Sequence, residues 1–209
     1  GSNKEVMKRG FESKLKDFKH IYLDMPGFGK THNEYILTTK DYANIVKIFL
    51  TDILPCNPID TISIAGHSFG GKVATYLEPK NLILFSSAGI LERKSAKTLL
   101  TIRMSKIFNK SGLGKVAKML RSKDVENMSQ NMYETFKNVV DEDFSEVFKK
   151  YKKNTFIFWG EKDSATTLES GKTMHNFIKN SIFRVYPDDH FFFLKHSKEI
   201  CNELEDNIS

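Results

Sequence analysis

Five short apolar runs punctuate the chain: His20–Met25 (HIYLDM), Thr61–Ala65 (TISIA), Leu82–Phe85 (LILF), Thr155–Trp159 (TFIFW) and Ile182–Tyr186 (IFRVY). Each is bounded by turn or polar residues. Their length and their β-branched or aromatic content suit buried strands better than helices. Four are apolar nearly throughout, the pattern of parallel strands covered on both faces. Helical spacing fills several of the gaps. Thr39–Leu54 carries Tyr42, Ile45, Val46, Phe49, Leu50 and Ile53 on one side before Pro55 ends it. Phe69–Leu77, Ser170–Lys179 and Ser197–Asn207 read as further helices. Strands alternating with helices predict an α/β fold built on a mostly parallel sheet.

The rhythm breaks between Leu91 and Lys153. Helical patterns around Thr98–Phe108, Leu113–Leu120, Met128–Val140 and Phe144–Tyr151 occur there without a convincing strand. About 60 residues is far too long for a simple crossover, so the segment reads as a helical insertion. The expected organisation is a core in two parts, residues 1–91 and 154–209, with a helical cap at 92–153.

Composition changes this picture little. A chain of 209 residues, 40% hydrophobic and 28% charged, is ordinary globular material able to bury a core without staples. Cys56 and Cys201 lack metal or redox spacing, which favours a reducing compartment and a cytoplasmic location. No stretch reaches the roughly 18 apolar residues of a membrane span. The formal charge of +6 is spread over polar faces, and no nucleic-acid motif interleaves aromatics with the bases. The expected partner is a small-molecule substrate, with neither nucleic acid nor membrane.

The sharpest chemical signal is Gly66-His67-Ser68-Phe69-Gly70, followed by Gly71. It matches G-x-S-x-G in the setting that motif requires, a strand before and a helix after. A strand turning at once into a helix strains the central residue, so small residues are expected two positions to either side. The turn projects Ser68 Oγ outward, above a helix N-terminus whose free N–H groups suit a developing oxyanion. A chance Gly-Ser turn is the competing reading. Two other signals carry nothing. Gly29-Lys30-Thr31 and Gly171-Lys172-Thr173 end like phosphate loops, but Asp24 and Thr166 stand where a P-loop needs glycine. The histidines and cysteines show no ligand spacing, so neither a metal nor a cofactor is expected.

With the elbow in place, the chain resembles the α/β-hydrolase family, and other segments follow the family's order. Asp24-Met25-Pro26-Gly27-Phe28-Gly29-Lys30-Thr31 is similar to the D-x-P-G-x-G-x-S loop after the fourth strand. Thr155–Asp163 (TFIFWGEKD) resembles the seventh strand ending at the acid, and Tyr186–His190 (YPDDH) the histidine loop after the eighth. The resemblance implies a serine hydrolase with the triad Ser68, Asp163 and His190, and with Phe69 N–H as one oxyanion donor. A serine hydroxyl needs a base, and the base an orienter. Of six histidines only His190 and His196 fall late enough, and His190 directly follows the last strand. Glu161 and Asp163 both follow the seventh strand, and W-G-x-x-D matches at Asp163. Asp188 and Asp189 read as turn residues or loop-fixing partners.

The family places three strands ahead of His20–Met25, the third lying between strands four and five and carrying the second oxyanion donor. Here Asn3–Lys19 reads instead as polar loop and amphipathic helix, with Val6, Met7, Phe11, Leu15 and Phe18 on its apolar side. The expectation is therefore a fragment whose upstream strands are absent. Its open strand edges would invite association into a homo-oligomer, and its activity would be weakened by the loss of a donor worth roughly 10²–10³ in rate. Capped relatives include carboxylesterases and hydrolases of carbon–carbon bonds in 2-hydroxy-6-oxo-dienoates; a peroxidase use of the same triad has no separate signal. The rival class is a non-catalytic binding protein that keeps the fold. The first half of the insertion, rich in lysine and arginine from Arg93 to Lys123, would attract an anionic substrate or simply face solvent.

Overall fold

Four strands form the sheet: β1 (Ser63–His67), β2 (Asn81–Phe85), β3 (Asn154–Gly160) and β4 (Ser181–Tyr186). They pair in chain order and all run parallel. The computed structural model describes residues 3–55, 58–91 and 128–208. Around the sheet lie α1 (Lys4–Phe11), α2 (Thr39–Ile53), α3 (Phe69–Tyr76), α4 (Gln130–Val140), α5 (Ser145–Lys150), α6 (Leu168–Phe177) and α7 (Phe193–Glu205).

Burial follows position in the sheet. Every residue of central β2 is buried, as is all of β3 after Asn154, whereas the outer strands β1 and β4 are mixed. Side-chain alternation then sorts the apolar residues onto two faces. Ile83, Phe85, Phe156 and Phe158 pack with Phe11 of α1 and with Phe193, Ile200 and Leu204 of α7. Leu82, Leu84, Ile157 and Trp159 pack with Ala74 of α3, Phe148 of α5 and Met174 of α6. Strands covered on both faces need apolar residues at both parities. That is why β2 and β3 read as continuous apolar runs.

Helix α2 starts where its sequence says it should. Thr38 Oγ1 accepts from Asp41 N–H while the Asp41 carboxylate accepts from Thr38 N–H, a reciprocal cap. Its inner face packs Tyr42, Val46 and Leu50 against Val73 and Leu77, the residues that α3 and its end turn to that side.

Three sequence expectations need correction or restriction. First, His20–Met25 is not a strand; it runs without ladder pairing between α1 and α2. Its apolar residues still find cover, since Leu23 and Met25 pack against the α2–α3 cluster. A strand needs a neighbouring backbone as well as an apolar sequence. Among the described residues β1 is the edge of the sheet and nothing bridges the two. Second, the amphipathic helix expected within Asn3–Lys19, with Leu15 and Phe18 on its apolar side, stops at Phe11. Beyond it Leu15 adopts a left-handed φ of 51° and Phe18 is exposed. Third, of the insertion's helical patterns, Met128–Val140 and Phe144–Tyr151 coincide with α4 and α5, while those around Thr98–Phe108 and Leu113–Leu120 lie outside the described residues.

The segment from α4 to α5 is tied firmly to the rest of the fold. Leu37 N–H donates to Thr135 Oγ1 (3.0 Å), and Phe144 and Phe148 are fully buried under the sheet. Buried Lys72, on α3, donates to the carbonyls of Val139 (2.6 Å) and Glu142 (3.2 Å) and pairs with the Glu142 carboxylate at 3.3 Å. Burial pulls the Lys72 ammonium below the ordinary lysine range, against the attraction of Glu142. No described helix is long and apolar enough to cross a membrane.

Candidate active site

The site begins where β1 ends. Ser68 adopts φ 53° and ψ −120°, a left-handed backbone that a side chain normally avoids. Three backbone hydrogen bonds hold it there. Ser68 N–H donates to Phe85 O (3.1 Å), and Ser68 O accepts from Gly71 N–H (3.1 Å) and Ala88 N–H (3.0 Å). The turn is therefore fastened to the end of β2 at both its amide and its carbonyl.

The small residues around it divide unequally. A Cβ on Gly66 would collide with the Gly70 carbonyl and lie 2.6 Å from Gly71 N, so glycine is obligatory two positions before the serine. Gly70 has open space instead, and the crowded position on the far side is Gly71, facing Ser87. The expected symmetric requirement is thus met on one side and shifted by one residue on the other. At the start of α3 the Phe69 N–H has no acceptor among the described residues. That donor is free for a developing negative charge. The Phe69 ring meets Tyr42 edge-on at 5.2 Å and stacks on Phe28 at 6.0 Å. With Tyr42 Oη–H donating to Pro26 O, these contacts hold the Asp24–Thr31 loop beside the elbow.

Asp163 lies after β3 with its side chain fully buried. Its Oδ1 accepts from the amides of Ala165 (2.8 Å) and Thr166 (3.0 Å), and its Oδ2 from Thr166 Oγ1 (2.9 Å) and His190 Nδ1 (2.7 Å). Burial alone would raise this carboxyl; the hydrogen bonds from His190 and Thr166 outweigh it and bring the group to about 2. Asp163 is therefore ionised at neutral pH. A carboxylate only accepts, so His190 Nδ1 carries the proton and Nε2 is left with a bare lone pair. That is the tautomer a general base requires.

The loop carrying His190 is built from its own polar residues. Asp188 pairs with His196 Nε2 at 3.0 Å and with Lys195, and Asp189 Oδ1 accepts from Phe191 N–H at 2.8 Å. Both aspartates serve the loop-fixing part expected of them. Gly160 lets this loop approach β3, because a Cβ there would run into the carbonyls of Asp188 and Asp189. Glu161 is exposed and takes no part.

The structure brings Asp163 and His190 into contact and sets the elbow beside them. The ring of His67, the residue before Ser68, lies 4.4 Å centroid to centroid from that of His190. Among the described residues no hydrogen bond joins Ser68 Oγ to His190. Contacts of this kind are commonly loose without substrate and tighten when it binds. Thr166, His67 and Gly160 were not singled out by sequence. Only Gly160 had a signal, the glycine inside W-G-x-x-D; the other two depend on the fold.

Solved structures extend over nearly the whole chain. An esterase from Exiguobacterium antarcticum superposes with a TM-score of 0.73 at 18% identity, covering 99% of this chain and 88% of that one. A lipase-esterase related protein from Clostridium acetobutylicum gives 0.74 at 16% identity, with 99% and 90% covered. The chain has the α/β-hydrolase fold.

A meta-cleavage product hydrolase from Pseudomonas fluorescens shares this α/β-hydrolase fold with a TM-score of 0.69 at 16% identity, over 99% of this chain and 85% of that one. No family model matches the chain, and no curated relative does. As the sequence implies, the α/β-hydrolase sheet is parallel with helices on both faces, and the G-x-S-x-G turn sits at the C-terminal end of a strand. These three solved neighbours carry the names of an esterase, a lipase-esterase related protein and a hydrolase. Among the described residues no cluster of side chains would hold a metal ion.

Proposed function

We propose that this protein is a serine hydrolase that cleaves an ester, or a carbon–carbon bond, of a small carbonyl substrate. Ser68 is the nucleophile, His190 the base and Asp163 its orienting acid. The observation that carries the reading is the 2.7 Å hydrogen bond from His190 Nδ1 to a buried, ionised Asp163, beside a serine in a left-handed turn. The chemistry follows from those groups. His190 Nε2 takes the hydroxyl proton as Ser68 Oγ attacks the carbonyl carbon. The Asp163 carboxylate stabilises the imidazolium, and Phe69 N–H donates to the oxyanion. The imidazolium then protonates the leaving group, and water repeats the sequence on the acyl-enzyme.

In this reading residues 92–153 form a cap over the site, and selection of the substrate falls to it. Esterase action and cleavage of 2-hydroxy-6-oxo-dienoates are the candidate subtypes; both need an acyl group on Ser68.

A non-catalytic binding protein is the second reading, favoured by the missing Ser68–His190 hydrogen bond. A fluorophosphonate probe separates the two. Covalent labelling that disappears in Ser68→Ala supports the hydrolase, and an unlabelled folded protein supports the binder. A panel of p-nitrophenyl esters and dienoate ketones then assigns the bond cleaved.

A further inference from the structure

His67 contributes a side chain that the triad chemistry above does not use. It is the last residue of β1, next to Ser68, and its ring is enclosed by His190, Phe191 (5.2 Å between centroids) and Phe193 (5.1 Å). Its Nε2 lies 3.0 Å from the backbone carbonyl of His190. A carbonyl can only accept, so His67 holds its proton on Nε2 and donates it there. Burial, reinforced by the neighbouring His190, lowers the His67 imidazole to about 4. The ring is therefore neutral at neutral pH and places no second cation beside the imidazolium that catalysis forms.

The topology gives this contact its importance. β1 and β4 are opposite edges of the sheet, three strand spacings or about 14 Å apart. The loop after β4 must reach back across the ends of β3 and β2 to bring an imidazole to the elbow. Asp163 holds the base from the β3 side. Among the described residues, His67 Nε2 to His190 O is the one hydrogen bond joining the elbow strand to the histidine loop.

We propose that His67 is a positioning residue for the base: its Nε2–H anchors the His190 backbone while its ring supports the His190 imidazole beside Ser68. The proposal rests on the serine-hydrolase reading of the site. Its test uses the whole chain with three variants. His67→Gln keeps a nitrogen donor at nearly the same reach, His67→Phe keeps a ring without the donor, and His67→Ala removes both.

Two measurements are made on each. One is the rate of Ser68 labelling by a fluorophosphonate. The other is the downfield proton resonance of His190 Nδ1–H, assigned by its loss in Asp163→Asn, which reports the ordered base without any reaction. Loss of one hydrogen bond predicts labelling about tenfold slower in His67→Phe and slower again in His67→Ala. The resonance should broaden in both through exchange with water. His67→Gln should label within about threefold of the unaltered chain and keep the resonance. Unfolding in urea identifies any variant that fails to fold; the remaining two then decide. A sharp resonance in folded His67→Phe or His67→Ala overturns the proposal, as does His67→Gln behaving like His67→Ala. If the unaltered chain takes no label, the hydrolase reading fails, while the resonance still decides whether His67 orders the base.

Discussion

Replacing Asp163 by asparagine isolates the work of the buried carboxylate, because the side chain keeps its size and loses its charge. In an unfolded chain this carboxyl titrates near 3.8, and in the folded protein it is lowered to about 2. Burial acts in the opposite direction, so the lowering is what the His190 and Thr166 hydrogen bonds provide beyond the cost of desolvation. A folded value below the unfolded one means that the unfolded state takes up the proton first as pH falls. The stabilisation is therefore complete above about pH 4, declines as pH falls toward about 2, and is absent below that. At ~1.4 kcal/mol per pH unit, that window corresponds to about 2 kcal/mol.

Urea unfolding across the interval from about pH 6 to about pH 2 measures it directly. The unaltered protein should lose about 2 kcal/mol more than Asp163→Asn over the same interval. Labelling of Ser68 gives an independent reading. With Oδ1 engaged by the amides of Ala165 and Thr166, the side-chain amide nitrogen of the introduced asparagine would face His190 Nδ1. The imidazole would then carry its proton on Nε2 and could not accept one from Ser68, which predicts labelling slower by roughly 10³–10⁴. Parallel unfolding curves, or unchanged labelling, would refute the description of Asp163 as a buried, hydrogen-bonded carboxylate that orients the base.

The elbow predicts an asymmetric glycine scan. Gly66→Ala drives a methyl into the Gly70 carbonyl, so it should cost about 1–3 kcal/mol in urea unfolding and abolish Ser68 labelling; Gly70→Ala, with nothing within 4 Å, should leave both unchanged. Lys72→Met keeps the length of the side chain but removes the donor to the Val139 and Glu142 carbonyls and the cation beside the Glu142 carboxylate, which keeps its hydrogen bond from Thr39 Oγ1. Unfolding should show a loss of about 1–3 kcal/mol, and a loss well under 1 kcal/mol would mean that the buried ammonium is not what fixes the segment around Val139 and Glu142.

Much of this architecture was legible in the chain because its signals are local. The runs at Leu82–Phe85 and Thr155–Trp159 are apolar at both parities, and they became the two central strands. The helical spacing over Thr39–Leu54 became α2, which spans Thr39–Ile53. The elbow announced itself because a strand, a strained residue and a helix must follow one another within a few positions, and glycine is the residue that fits Gly66's contact with Gly70. His20–Met25 marks the limit of such reasoning. Its composition is that of a strand, but a strand is defined by a partner, and the apolar pattern carries no information about whether one stands beside it.

The site divides in the same way. The order of residues along the chain already supplied the types available: a serine in a strand-to-helix turn, an acid after β3 and a histidine after β4. Folding in three dimensions was needed to make four donors converge on Asp163, to set Asp188 and Asp189 bracing the histidine loop, and to lay the ring of His67 against that of His190. Local patterns record the periodicity of the backbone and the demands of a turn. Contacts between residues 67 and 190 depend on the order in which strands lie side by side, and that order is set by packing across the whole sheet.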